Sequence, residues 1–306
     1  MANSGSDNIN LSFGGTGSLG VYQIGVAMAF HRHGQKALEK TGNFAGASAG
    51  AIVSALLLTA PNKIQPFLAG TRKLVDDIYK SKGMTPAYDF TSRIKRLLKI
   101  QLPKDAYTKI GDKKLHIKVI TFERKRDPLF DVNDPAEWRK MGKKAWKTFV
   151  DIHEFSEEVI SDFGSNDELV EVLIGSVHIP IHGGVKHPVY RGKKLMDPGL
   201  RIHLPDCSID VSPEIIHVET SNFASGKTIT VSSLHSDEVS ISPSKNKGED
   251  PKIGDTHGQP IDLTKWNYLY AQDAYHPAPW DNLKEYYVRG YEDCKMYLMQ
   301  EELFSK

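Results

Sequence analysis

Among the residues whose types and spacing could do chemistry, a serine framed by small residues comes first. "GASAG", residues 46–50, fits G-x-S-x-G, with a strand-like run before it and the apolar helix-like run "AIVSALLLTA" after it. A serine raised on a sharp strand-to-helix turn needs small neighbours two positions away. Gly46 and Gly50 meet that need, and Ala47 and Ala49 add little bulk. A helix starting at Ala49 or Gly50 would aim its positive end at Ser48, where an alkoxide or oxyanion would develop. Five-residue patterns recur by chance, so on this motif alone a plain small-residue helix entry is an equal alternative.

The loop "LSFGGTGSLG", residues 11–20, carries two glycine signatures at once. Gly15, Gly17 and Gly20 fit G-x-G-x-x-G, a dinucleotide cradle, after an apolar run and before a helical one. The same glycines could serve as an oxyanion hole, since either use needs bare backbone N–H groups close to negative charge. A dinucleotide site also needs Asp or Glu at the end of the next strand, about 20 residues on, for the ribose hydroxyls. Here that strand end is Ala45-Gly46, leading into Ser48, and Glu39 lies at the wrong end of the strand. The order therefore favours N–H groups of the loop from Gly14 to Gly17, through Gly15 and Thr16, facing an oxyanion made at Ser48.

A serine needs a base. Ser48 follows a single strand-helix unit, which argues against the α/β-hydrolase order of serine, aspartate and histidine after several strands. His178, His182, His187 and His203 are candidates by type, but none sits in a motif. "LMDPGL" is the better candidate: Asp197 lies in a Pro/Gly turn after a short strand, although alone it would read as an ordinary turn aspartate.

These residues must be positioned by elements, and the chain opens with two strand-to-helix units. "NINLSF" runs into the glycine loop and a helix ended by Gly34; a strand over 41–45 runs into the serine turn and the next helix. That grammar predicts an α/β fold with a central, largely parallel sheet. Residues 61–100 read as two helices, the second with Arg93, Lys95, Arg96 and Lys99 on its wet side. "KLHIKVITFE" alternates as a half-buried strand, with "PLFDVN" as its hairpin partner. "SNDELVEVLIGSV" is a helix opened by a capping box of Ser165 and Glu168. "IIHVET" and "TITVSS" read as late strands, 242–258 as a mobile surface loop, and 282–303 as a last helix. Residues 1–8 are expected to be a disordered leader, and 9–306 one domain.

With 306 residues the core needs no disulfide or metal staple. The 39 basic and 38 acidic side chains nearly cancel, which removes the case for a nucleic-acid partner. Cys207 and Cys294 form neither a disulfide framework nor a zinc pattern, which suits a reducing compartment. There is no secretory signal and no run of the about 20 apolar residues a membrane span needs, so a cytoplasmic, soluble or peripheral protein is expected.

With those motifs in place the chain resembles the patatin-like phospholipases, and within them the adipose triglyceride lipase and adiponutrin branch. "LSFGGTGSLGVYQIGV" is similar to that branch's oxyanion segment, "GASAGA" to its nucleophile elbow, and "YRGKKLMDPGLRIHLP" to the segment bearing its aspartate. "KTITVSS" and "WNYLYAQDAYHPAPWDNLKEYYVRGYEDCKMYL" resemble later blocks, so the likeness runs nearly the whole chain. The resemblance implies a three-layer patatin-like fold and a lipid acyl hydrolase acting on long-chain esters, needing neither cofactor nor metal. It implies that Ser48 attacks the ester carbonyl and that Asp197, without a histidine, takes the proton. Acyl transfer to a second lipid alcohol, or a silent lipid-binding role, are the alternatives. One departure stands out: the family's Asp-Gly-Gly or Asp-Gly-Ala is here Asp197-Pro198-Gly199, which removes an N–H and biases Asp197 towards extended backbone.

"DPAEWRKMGKKAWKTFV" signals a helix, with Asp134 and Glu137 as a capping box and Pro135 at its first position. Trp138, Met141, Trp146 and Phe149 share one face, while Lys140, Lys143, Lys144 and other basic residues occupy the rest. Such a helix could hold a membrane or lipid-droplet surface. An ordinary surface helix packed through its tryptophans is marginally favoured.

Overall fold

A computed structural model describes residues 8–80, 88–111, 114–126, 134, 136–137, 140, 143–180, 184, 186–203, 208–210, 217–218, 225–243 and 278–305. Strand β1, Ile9–Phe13, is buried at all five positions, as a strand covered on both faces must be. It pairs in parallel with β2, Thr41–Ala47, on one side. β3, Leu115–Arg124, continues the parallel order beyond β2.

Past β3 the direction changes. β4 (His153–Ile160) and β6 (Lys193–Met196) both run antiparallel to β3, and β5 (Val189–Tyr190) pairs with β6. β7 (Arg201–His203) and β8 (Ser208–Asp210) form a separate antiparallel pair. β9, Lys227–Val231, lies parallel to β1 on its other side, so the middle of the sheet, β9-β1-β2-β3, is wholly parallel. With helices on the sheet this is the expected three-layer α/β arrangement.

The helices are α1 (Gly20–His33), α2 (Gln35–Lys40), α3 (Ala49–Thr59), α4 (Ile64–Lys80), α5 (Phe90–Gln101), α6 (Ala106–Lys109), α7 (Lys143–Ile152), α8 (Asn166–Ser176) and α9 (Trp280–Gln300). Gly34 follows α1, and the Ser165 hydroxyl caps α8 by accepting the Glu168 N–H at 3.1 Å, both as the sequence predicts. Glu168 reaches back to the Gly164 N–H at 2.8 Å, one residue earlier than a capping box would have it.

Several short or irregular elements were not legible, among them α6, β5, β7 and β8. α2 is too short to show a helical period. β4, "HEFSEEVI", is buried chiefly at its ends and gives no apolar alternation. The expected partner of β3 at 128–133 lies outside the described residues; the antiparallel partners seen are β4 and β6. Of "IIHVET" only His217 and Val218 are described, and neither is in a strand. Residues 1–7 of the expected leader, Cys207 and residues 244–258 of the expected loop are also outside the described residues, whereas Cys294 is buried in α9.

Candidate active site

Strand register brings the two chemical residues together. β2 and β6 occupy the same edge of β3, one after the other: Ala47 stands opposite Lys118, and Met196 opposite Ile120. β2 runs parallel to β3 and β6 antiparallel, so their ends point at each other. The next residue of each, Ser48 and Asp197, meets the other near Val119.

Ser48 is 5% exposed and has φ 52° and ψ −130°. A non-glycine residue held there costs about 1–3 kcal/mol and persists only where its surroundings over-determine it. The surroundings are tight. A Cβ on Gly46 would come within 2.5 Å of the Gly50 carbonyl oxygen, and one on Gly50 within 2.4 Å of the Phe13 carbonyl oxygen. α3 begins at Ala49, so its positive end faces Ser48.

The Ser48 hydroxyl donates to Asp197 Oδ2 at 2.6 Å, and the Gly199 N–H donates to Oδ1 at 2.7 Å. Pro198 has no N–H to give, but the bond comes from the following residue, so the proline leaves the carboxylate aimed at Ser48. Burial pushes the Asp197 carboxyl up to about 6, against the hydrogen bonds from Ser48 and Gly199 that favour its ionised form. A carboxylate so placed is a better proton acceptor than one in water.

In the glycine loop the Gly14 N–H is spent on the Val231 carbonyl, at 2.9 Å, extending the β1–β9 ladder, so it has no proton for an oxyanion. The N–H groups of Gly15, Thr16 and Gly17 meet no acceptor among the described residues. Gly17 has φ +53°, a conformation that favours glycine. Gln23 Nε2 donates to the Gly14 carbonyl at 2.7 Å and fixes the loop from beneath. The Thr16 hydroxyl is buried with no partner among the described residues.

The His178 and His187 rings bond other partners than Ser48. His178 Nδ1 bonds the Thr91 hydroxyl at 2.9 Å and its Nε2 bonds His187 Nδ1 at 3.0 Å. Burial lowers both pKa values, that of His178 to about 4, which keeps the pair neutral. His182 and the His203 side chain lie outside the described residues. Ser176 escaped the sequence: the Ser48 N–H donates to its Oγ at 2.8 Å, while His178, a candidate by type, accepts the Asp197 N–H at 2.9 Å on its backbone carbonyl and not its ring. A plain serine at a helix end carries no signal of such a contact.

Of the basic amphipathic segment, Trp138 and Met141 lie outside the described residues, as do the side chains of Lys143, Lys144 and Trp146. Ala136 N–H donates to Asp134 Oδ1 at 2.7 Å, a bond of the helix start. Lys140 is exposed. Phe149 turns into the core and packs edge-on against Phe122, with ring centroids 5.4 Å apart. Among the described residues no cluster of metal-ligating side chains occurs, and no helix is long and apolar enough to cross a membrane.

This fold is that of the patatin-like phospholipases. The family's model matches residues 11–205, and the chain belongs to that family. Among its relatives, patatin-like phospholipase domain-containing protein 4 of Homo sapiens is 29% identical over 97% of this chain and 99% of its own length. The human omega-hydroxyceramide transacylase is 25% identical over 94% of this chain but only 45% of itself. The human 1-acylglycerol-3-phosphate O-acyltransferase PNPLA3 is 24% identical over 97% of this chain and 52% of itself. The chain thus spans about half the length of the latter two. Family membership points to a lipid hydrolase or acyltransferase.

Proposed function

We propose that the protein is a serine lipid acyl hydrolase of lipid catabolism that cleaves long-chain carboxylic esters, triacylglycerol first and glycerophospholipid second. The observation that carries the reading is the 2.6 Å bond between the buried Ser48 hydroxyl and Asp197. Asp197 takes the hydroxyl proton as Ser48 attacks the ester carbonyl. The N–H groups of Gly15, Thr16 and Gly17 receive the oxyanion, with α3 behind Ser48. Asp197 then returns its proton to the leaving alcohol, and water releases the acyl group. Residues 9–306 act as one domain, docked peripherally on a droplet or membrane surface that supplies the substrate.

Hydrolysis of triolein and phosphatidylcholine emulsions by wild type, Ser48→Ala, Asp197→Asn and Pro198→Gly tests this. Ser48→Ala and Asp197→Asn are expected to lose activity and Pro198→Gly to keep it; full activity in Ser48→Ala defeats the mechanism. A second reading, acyl transfer, draws support from relatives whose names are those of a transacylase and an acyltransferase. In that case the acyl group on Ser48 passes to a lipid alcohol, and a labelled acyl chain appears in a new lipid ester rather than as free acid. Fluorophosphonate labelling that depends on Ser48 separates both readings from a silent lipid binder.

A further inference from the structure

The end of α8 touches both halves of the Ser48–Asp197 pair. Gly175 lies flush on β6, where a Cβ would come within 2.5 Å of the Leu195 Cβ, two residues before Asp197. Ser176, with no exposed surface, accepts the Ser48 N–H at 2.8 Å and donates its own proton to the Lys118 carbonyl of β3 at 2.8 Å. His178 accepts the Asp197 N–H on its carbonyl at 2.9 Å, and its ring is pinned by Thr91 and His187. Within four residues, then, one segment contacts β6, Ser48, β3 and Asp197.

A hydroxyl has one proton to give. In Ser176 it is committed to Lys118, so the lone pair facing Ser48 has a fixed direction. The strained backbone of Ser48 is thereby held at its nitrogen by Ser176 and at its carbonyl by the Ala51 N–H, 3.0 Å away. β2 and β6 each pair with β3 and not with one another, so no ladder bond between them sets the gap across which the proton must pass.

We propose that the end of α8 with the two residues after it, 175–178, is the gauge that sets the Ser48–Asp197 separation, with the Ser176 hydroxyl as a positioning group for Ser48. The proposal rests on reading Ser48 and Asp197 as the catalytic pair. Ser176→Ala removes the acceptor and leaves the Ser48 N–H unpaired. Displacing a reacting group by a fraction of an ångström to an ångström costs up to about 100-fold, so kcat should fall about 10- to 100-fold with KM little changed.

A second readout separates positioning from simple loss of stability. Burial, Ser48 and Gly199 act on the Asp197 carboxyl. The nearby His178 and His187 are neutral, and Lys118 on β3 is paired with Glu157. Weakening the Ser48 bond therefore lets the acid limb of the kcat/KM profile move to higher pH. Ser176→Cys, close in size and a weaker acceptor, should move both quantities in the same direction by less, and its values decide should Ser176→Ala not fold. Thr59→Val removes a hydroxyl that donates to the Ala55 carbonyl at 2.7 Å at the far end of α3, and should keep the wild-type kcat and profile.

Wild-type kcat and pH profile in the Ser176 variants, with Ser48→Ala inactive, would overturn the gauge. So would an equal loss in Thr59→Val. Activity surviving in Ser48→Ala overturns the catalytic reading instead.

Discussion

Asp197 is 5% exposed, and burial strips its carboxyl of water while Ser48 and Gly199 donate to its two oxygens. The balance leaves it raised to about 6. A base must be ionised to accept a proton, so kcat/KM should lose activity tenfold per pH unit below an acid limb near pH 6. A profile flat from pH 5 to 8 would remove Asp197 from the role. The same shift has a thermodynamic side with a definite sign. A carboxyl whose folded pKa lies above its unfolded value binds its proton more tightly when folded, so stability is greatest at low pH. It is lost as pH rises from 3.8 to about 6, and the full cost is present above that. Two pKa units correspond to about 3 kcal/mol. Asp197→Asn should therefore be inactive yet melt higher than wild type at pH 8, with the difference shrinking towards pH 4. Thermal melts of the two proteins at both pH values check this, and an Asp197→Asn variant less stable at pH 8 would contradict it.

At the scale of elements, α1 links the glycine loop to the C-terminal helix α9. Gly25 and Gly290 let the two backbones approach reciprocally: a Cβ on Gly25 would stand 2.1 Å from the Tyr287 carbonyl oxygen, and one on Gly290 2.1 Å from that of Tyr22. Beside them the Tyr22 hydroxyl donates to the Asp293 carboxylate at 2.8 Å. Backbone cannot yield as a side chain can, so Gly290→Ala should cost at least the about 1–3 kcal/mol typical of overpacking. It should lower the urea midpoint with an unchanged slope; an unmoved midpoint would show that the helices separate freely. What the sequence revealed divides along the same line between local and distant. The serine turn was legible because its demands fall on four adjacent small residues, and β1, α1 and the α8 cap because their signals are local. The pairing of Ser48 with Asp197 was legible only through the family resemblance and not from spacing, since 149 residues separate them and only the shared edge of β3 brings β2 and β6 end to end. Gly14 misled for a related reason: its place in the loop is local, but the ladder that takes its N–H belongs to β9, more than 200 residues away.

For the whole molecule, a near-zero net charge puts any attraction to a lipid surface on local patches. The basic face of α5 is a poor one, because Lys95 pairs with Glu171, Lys99 with Asp167 and Arg93 with Asp77, tying it to its neighbours. Each such surface pair adds little to stability, yet it neutralises the charge a membrane would need. The segment from 134 to 149 differs. Its far end is anchored by Phe149 in the core, while Lys140, with 77% of its side chain exposed, meets only Glu137, at 3.8 Å, among the described residues. Core packing at Phe149 together with the exposed Lys140 would let the segment stand on the protein and offer its basic residues to lipid. Reversing Lys140, Lys143 and Lys144 to glutamate should then weaken binding to anionic liposomes by at least about 100-fold in low salt, at about 1 kcal/mol for each basic residue near the surface. The gap should close as the screening length falls from about 30 Å at 0.01 M to about 3 Å at 1 M salt. Turnover of a dissolved short-chain ester should be unchanged, because the step assigned to Ser48 and Asp197 uses none of these lysines. Equal liposome binding by wild type and the triple variant would leave the segment as an ordinary packed helix.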